Sequence, residues 1–282
     1  MPDDDAATAP VGATGLPRAQ AGPEGSVGTD GSAPSAATVS WVGVGVTLAA
    51  AVALLLAATW GYAALIGVTL VLALLVAWGW PPVAESRTPD ATSVVLALSA
   101  VAIVLSALRE DLEWLAAGVA FGILLSFCSQ LIRPPQREGL VLTLLASFGG
   151  LVVIASGTSA VVAASSSTGA AVATIGGAGV GAALVADLVS GVVARSVHDE
   201  RAAGGVLAAV ALVAAVAGAA LVGTRFDEVG VGAAALVGAV AGLVSWALRR
   251  VLVLQPAMST LRGQVGASVA SVLVVGAVLH TA

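Results

Sequence analysis

The sequence contains no lysine and few charges of any kind. Charged residues make up 10% of its 282 positions, and all 11 basic residues are arginine. A soluble globular domain carries about 25% charged residues, whereas this chain is 59% hydrophobic with a mean hydropathy of +1.04. The composition therefore predicts an integral membrane protein whose main partner is the lipid bilayer. Because the net charge is −5 and no basic patch occurs, no nucleic-acid partner is predicted.

Cysteine is also scarce, and sequence patterns typical of enzymes are missing. The single cysteine, Cys128, excludes an internal disulfide and a cysteine-rich metal site. Its position within an apolar segment predicts a buried thiol. No Walker A, HExxH, CxxC or dinucleotide-binding pattern occurs. We therefore predict no catalytic residue, no metal and no cofactor.

Apolar segments fill the chain after a polar first part. Residues 1–39 are rich in Pro, Gly, Ala, Ser and Asp without an apolar run, which predicts a disordered, acidic tail. Residues 40–282 are predicted to form a transmembrane helical domain. Because about 20 apolar residues cross a bilayer, the forty nearly uncharged residues 41–80 make two spans that meet at 59–62, and Pro81-Pro82 ends the second. The remaining spans are predicted at about 91–108, 114–132, 139–163, 168–195, 204–223, 230–248 and 264–281. The predicted fold class is all-α, a polytopic transmembrane helix bundle of about nine spans.

Arginine is distributed unevenly between the two sides of this predicted bundle. The loops after the even-numbered spans hold eight arginines, and the loops after the odd-numbered spans hold Arg109 and Arg225. The positive-inside rule places the arginine-rich side in the cytoplasm. The N-terminus is then cytoplasmic and the C-terminus outside. The dominance of Ala, Val, Gly and Leu, with arginine in place of lysine, is typical of a GC-rich bacterial genome, so a bacterial plasma membrane is predicted.

Asp187 is the one charged residue inside the predicted spans. It lies about 12 Å before Arg195 along a helix, and a carboxylate in hydrocarbon costs about 2.5–3.5 kcal/mol. Small residues such as Gly176 and Ala183 share its helical face together with Ser190, so a neighbouring helix can approach closely there. One interpretation is a cation, proton or polar-substrate site. The other is a structural role, with Asp187 neutral or hydrogen-bonded to hydroxyls of adjacent helices.

The fifth predicted span carries a polar cluster, Ser156, Thr158 and Ser159. Together with the Ser165–Thr168 connection and the glycines of the sixth span, it forms the most polar part of the membrane domain. Transporters often place broken helices of this kind around a midplane site. The alternative is that the hydroxyls bond to carbonyls of their own helix.

Glycine pairs four residues apart indicate close helix packing. They occur at Gly118/Gly122, Gly177/Gly181 and Gly238/Gly242. Packing within the bundle is the expected use, and a dimer face is the alternative.

The segment from Asp187 to Gly204 resembles the signature of the CDP-alcohol phosphotransferases. Asp187, Gly191, Ala194, Arg195 and Gly204 match the family pattern D-x2-D-G-x2-A-R-x8-G-x3-D-x3-D, which in that family lies at a cytoplasmic span end and holds metal. The other three aspartates are replaced by Ser190, Ala208 and Leu212. One carboxylate cannot hold the metal pair of such a site. The segment therefore does not predict an enzyme.

The residues leave two functional hypotheses open. The first is a permease-like protein that moves a small solute or ion, with Asp187 as its polar centre and Ser190, Ser156, Thr158 and Ser159 along the pathway. The second is a non-catalytic cell-envelope membrane protein that acts through helix packing, as a homo-oligomer or with an envelope partner. The sequence identifies neither a substrate nor an energy source.

Overall fold

A computed structural model of the chain describes residues 40–132, 139–197 and 199–281. The tail predicted over 1–39 lies outside these residues, as does the predicted loop after the fourth span, 133–138. The described part is mainly helical and contains no strand. Its helices are α1 Trp41–Trp60, α2 Tyr62–Val83, α3 Pro89–Ser106, α4 Leu112–Leu131, α5 Leu140–Ala163, α6 Ser167–Ser196, α7 Glu200–Gly223, α8 Val231–Leu252, α9 Leu261–Leu273 and α10 Gly276–Thr281. Within the described ranges, nine candidate spans are long and apolar enough to cross a membrane, and α9 and α10 together make the ninth. The predicted all-α transmembrane bundle is confirmed, and it fits a multi-pass membrane protein.

The first two spans meet where the sequence predicts. Gly61, with a φ of +113°, separates α1 from α2, so the chain reverses there in a conformation that favours glycine. Tyr62 at the start of α2 donates a hydrogen bond to the Ala107 carbonyl at 2.7 Å, which connects this turn to the end of α3. α2 includes Pro81 and Pro82 in its last turn and ends at Val83, slightly beyond the predicted end.

Two groups of helices build the bundle. α2 packs against α3, α5 and α9, and α6 packs against α7, α8 and α1. The five largest fully buried side chains belong to α3, α5 and α6: Leu96, Ile103, Leu151, Ile154 and Ile175. Arg262 connects α9 to α2 and α3. It donates hydrogen bonds to the Trp78 carbonyl of α2 and to the Asp90 and Ser93 side chains of α3.

The expectation of a buried Cys128 is wrong. α4 packs against α3 and α5, and its opposite face is exposed. Cys128 lies on that outward face, as do Leu124 and Phe127. The apolar surroundings that suggested a packed thiol are therefore a surface suited to lipid.

Two differences from the predicted spans concern the ends of helices. The eighth span was expected to end near 248 with Arg249 and Arg250 in a loop, but α8 continues to Leu252 and contains both arginines. The ninth was expected as one helix, but it is interrupted at Val274 and Val275 between α9 and α10.

Candidate functional site

An ion pair between two spans forms the most buried charged site of the described residues. Arg249 Nε of α8 donates to Asp187 Oδ2 of α6 at 2.8 Å. The Asp187 side chain is 1% exposed and that of Arg249 is 9% exposed. Ser245, one helical turn before Arg249, accepts a second hydrogen bond from Arg249 Nη1 at 2.7 Å. The sequence predicts Asp187 as the one charged residue inside the spans, and this prediction is corrected because α8 extends to include Arg249.

Small residues bring the two helices close enough for this contact. A Cβ atom on Gly179 of α6 would lie 2.7 Å from the backbone of Gly238 in α8. A Cβ on Gly242 would lie 3.0 Å from the Gly179 carbonyl. Because glycine carries no side chain at these positions, the two backbones can approach each other directly. Asp187 lies two turns after Gly179, and Arg249 lies two turns after Gly242, so the pair forms where the helices continue together.

The pair lies toward one end of the bundle rather than at its centre. Arg249 is in the last turn of α8, three residues before Leu252. α6 has 30 residues and is about 45 Å long, which exceeds the roughly 30 Å of a hydrocarbon core. α2 ends on the same side, since its last residue Val83 packs in one cluster with Leu252 of α8, and the sequence predicts this side to be cytoplasmic. The Arg249 side chain therefore extends from the end of α8 toward a carboxylate that lies closer to the membrane centre.

The pairing leaves one polar atom of each ion unsatisfied. Asp187 Oδ1 and Arg249 Nη2 are buried, and neither has a hydrogen-bond partner within the described part of the chain. Both residues line a cavity of about 20 Å³. A cavity of 10–15 Å³ holds one water molecule. Its other walls come from the start of α1, the end of α8 and the first half of α9, including Ser40, Gly43, Arg250 and Ser268.

Burying either ion alone would cost free energy, so the site is stable only while the two ions stay paired. Removing an ion from water costs several kcal/mol, and the attraction in a low-dielectric interior offsets that cost only with good geometry. Asp187 and Arg249 meet through one short hydrogen bond rather than the two of a bidentate pair. The arrangement can hold a water or exchange partners, because each ion keeps one bonding position free and both residues line the cavity.

The predicted pathway hydroxyls do not gather around Asp187. Ser190 donates to the backbone carbonyl of Asp187, not to its carboxylate. In α5, Thr158 donates to the Ile154 carbonyl and Ser159 to the Ser156 carbonyl. None of Ser156, Thr158, Ser159 and Ser190 is among the residues that line the Asp187 cavity.

Ser156 lies instead at the break in the ninth span. Its Oγ donates to the Val274 carbonyl at 2.7 Å and accepts from the Ala277 backbone N–H at 2.8 Å. These two groups belong to the facing ends of α9 and α10, where the helical hydrogen-bond pattern is interrupted. One side chain of α5 therefore satisfies backbone groups on both sides of the interruption.

The predicted glycine pairs have different surroundings. Cβ atoms on Gly118 and Gly122 would meet α3, and the one on Gly122 would also meet Leu151 of α5. Gly238 and Gly242 face Ala219 and Ala215 of α7. Gly177 meets the Leu55 side chain, whereas nothing lies within 4 Å of a Cβ on Gly181.

Arg249 and Ser245 are the site residues that sequence reasoning missed. Arg249 ends a long apolar segment, which is the usual place for an arginine at the membrane surface. A signal was present in the helical spacing, because Ser245 and Arg249 are four residues apart and share a face with the glycines at 238 and 242.

Metal binding finds no support in the described ranges, where no three His, Cys, Asp or Glu side chains converge. Compared with protein-family models, curated protein sequences and solved structures, the chain matches none of them.

Proposed function

We propose that the protein is a permease-like membrane protein that moves a small solute or ion, with the Asp187–Arg249 pair as its polar centre. One observation carries the proposal: a buried ion pair whose two residues line a water-sized cavity keeps one oxygen and one nitrogen without a partner. A pair with free bonding positions can exchange its partner for water, a proton or a polar group of a solute. Ionisable residues within spans commonly mark such pathways.

The interrupted ninth span supports the same proposal. Discontinuous helices often line the substrate sites of transporters, because their ends present free backbone groups. The ninth span provides one wall of the Asp187 cavity through Ser268 and is broken six residues further along at Val274. A segment that both lines the cavity and contains a break is suited to movement during a transport cycle.

A second candidate function is a non-catalytic membrane protein in which the ion pair locks α6 to α8. The near-complete burial of the Asp187 carboxylate favours this candidate. So do the hydroxyls of Thr158 and Ser159, which bond to carbonyls of their own helix rather than lining a pathway. In this alternative the cavity never connects to either side of the membrane.

Thiol accessibility at the cavity wall distinguishes the two candidates. Ser268 lines the Asp187 cavity, whereas Ser271 lies one turn along the same helix and does not. Both serines are buried, so Ser268→Cys and Ser271→Cys are matched variants. Each is made in a Cys128→Ser background, since Cys128 is exposed. A charged, membrane-impermeant thiol reagent is applied to intact cells and to inside-out vesicles.

A permease requires the cavity to open toward each side in turn. Ser268→Cys is then labelled in both preparations, and much faster than Ser271→Cys. Labelling from one side alone shows a hydrated recess without alternating access and contradicts the permease. Equal, slow labelling of both cysteines also contradicts it and favours the structural lock.

A further inference from the structure

A second, larger cavity lies away from the ion pair. It measures about 60 Å³, is open on one side, and is bordered by α1, α2, α5, α6 and the break between α9 and α10. Its walls are mainly aliphatic, with Leu54 and Leu55 from α1, Val161 from α5, Val180 from α6 and Leu279 from α10. No residue lines both this cavity and the one at Asp187.

One polar atom in this wall lacks a partner. Thr69 of α2 is 1% exposed, and its Oγ1 has no hydrogen bond. It is the one buried Ser or Thr hydroxyl in this condition among the described residues. Thr47 and Thr158 show the usual arrangement, in which a buried hydroxyl donates to the carbonyl four residues earlier. A buried hydroxyl without a partner costs free energy, and a molecule in the cavity that hydrogen-bonds to it would recover that cost.

The rest of the wall restricts what that partner can be. No charged residue lines the cavity, so burying an ion there would be costly. Thr174 also lines it and donates to the Ala170 carbonyl at 2.8 Å, which leaves its hydroxyl oxygen able to accept. At 60 Å³, the space fits roughly four to six groups of the size of water.

We infer that this cavity binds a small neutral molecule with a short aliphatic body and one hydroxyl group, in the size range of a three- or four-carbon alcohol. The hydroxyl of the ligand pairs with Thr69 Oγ1, and its aliphatic part lies against the leucine and valine side chains. Water alone is a poorer occupant, because a buried water needs two to four polar partners and this wall is mainly apolar. The inference is independent of the proposed transport role.

Two isosteric probes test the inference directly. 3-Fluoropropan-1-ol and 1-fluorobutane have the same number of heavy atoms and differ in a hydroxyl against a methyl group. Their binding to the full-length protein in lipid nanodiscs is followed by fluorine NMR, with partition into protein-free nanodiscs subtracted. The alcohol is expected to bind saturably to the wild type, and the ratio of its affinity to that of the fluoroalkane is the quantity compared between variants.

Thr69→Val is the matched variant, because valine keeps the shape and removes the hydroxyl. It is expected to fold with an unchanged or higher melting temperature, since no hydrogen bond within the protein is lost. The ratio of the alcohol's affinity to the fluoroalkane's is expected to be about fivefold lower in Thr69→Val than in the wild type, because one net hydrogen bond is lost. A second variant, Ala58→Leu, enlarges a side chain of the cavity wall and is expected to weaken both probes. The inference is overturned if the alcohol does not bind saturably, or if the ratio of the two affinities is the same in Thr69→Val as in the wild type.

Discussion

Ser156 satisfies the backbone of two helices through one hydroxyl. It donates to the Val274 carbonyl and accepts from the Ala277 N–H across the break in the ninth span. We expect Ser156→Ala to lower the free energy of unfolding by about 1–3 kcal/mol, because two buried backbone groups lose their partner. Chemical denaturation of the purified protein in detergent measures this loss.

The control for this variant is Ser159→Ala. Ser159 bonds to a carbonyl of its own helix, which remains bonded within the helix when the hydroxyl is removed. Its loss is expected to be below about 1 kcal/mol. Equal losses for the two alanine variants would contradict the bridging role of Ser156.

Among single residues, the sequence predicts the burial of Asp187 but does not predict its partner. A single carboxylate within an apolar segment must face protein or water, and Asp187 is buried as that argument requires. Arg249 could not be assigned to it, because an arginine after an apolar segment has the same appearance whether it faces headgroups or reaches back into the bundle. The choice depends on how closely α6 and α8 approach, which the local sequence does not specify.

The contact between α6, α7 and α8 depends on side chains no larger than hydrogen or methyl. A Cβ on Gly238 would overlap Ala219 of α7, so Gly238→Ala is expected to destabilise the protein by about 1–3 kcal/mol through overpacking. Gly181→Ala is the matched control, because open space surrounds that position and alanine favours a helix by about 0.5–1 kcal/mol. Thermal unfolding of both variants in the same detergent measures the difference. The close packing is contradicted if Gly238→Ala is as stable as Gly181→Ala.

The sequence predicts where the spans lie, but it does not predict the interruption of the ninth span. Spans follow from hydropathy because a backbone in lipid must satisfy its own hydrogen bonds, and only a helix does so within one segment. The break at Val274 lies in a uniformly apolar stretch without proline. The residue that compensates it, Ser156, is 118 positions away in the chain, so no local pattern indicates it. The predicted end of α8 near 248 is too early, because charged residues after an apolar segment indicate a loop. α8 includes both arginines and continues to Leu252.

The molecule as a whole is predicted to place its arginine-rich loops in the cytoplasm. Two exposed positions at opposite ends of α8 test this orientation: Asp227 precedes the helix and Ser259 follows it. In a Cys128→Ser background, an impermeant thiol reagent applied to intact cells is expected to label Asp227→Cys and to leave Ser259→Cys unlabelled until the membrane is opened. The reverse pattern would contradict the orientation, and labelling of both in intact cells would contradict the assignment of α8 as a span.

A double-mutant cycle tests the ion pair between Asp187 and Arg249 most directly. The cycle compares the unfolding free energy of the wild type, Asp187→Leu, Arg249→Met and the double variant in detergent. Removing one ion leaves the other buried and unpaired, so each single variant is expected to lose about 3–5 kcal/mol. The double variant is expected to return to within about 1 kcal/mol of the wild type, because two apolar side chains then meet. Losses that simply add in the double variant, or a neutral Arg249→Met, would show that the two residues do not form the pair.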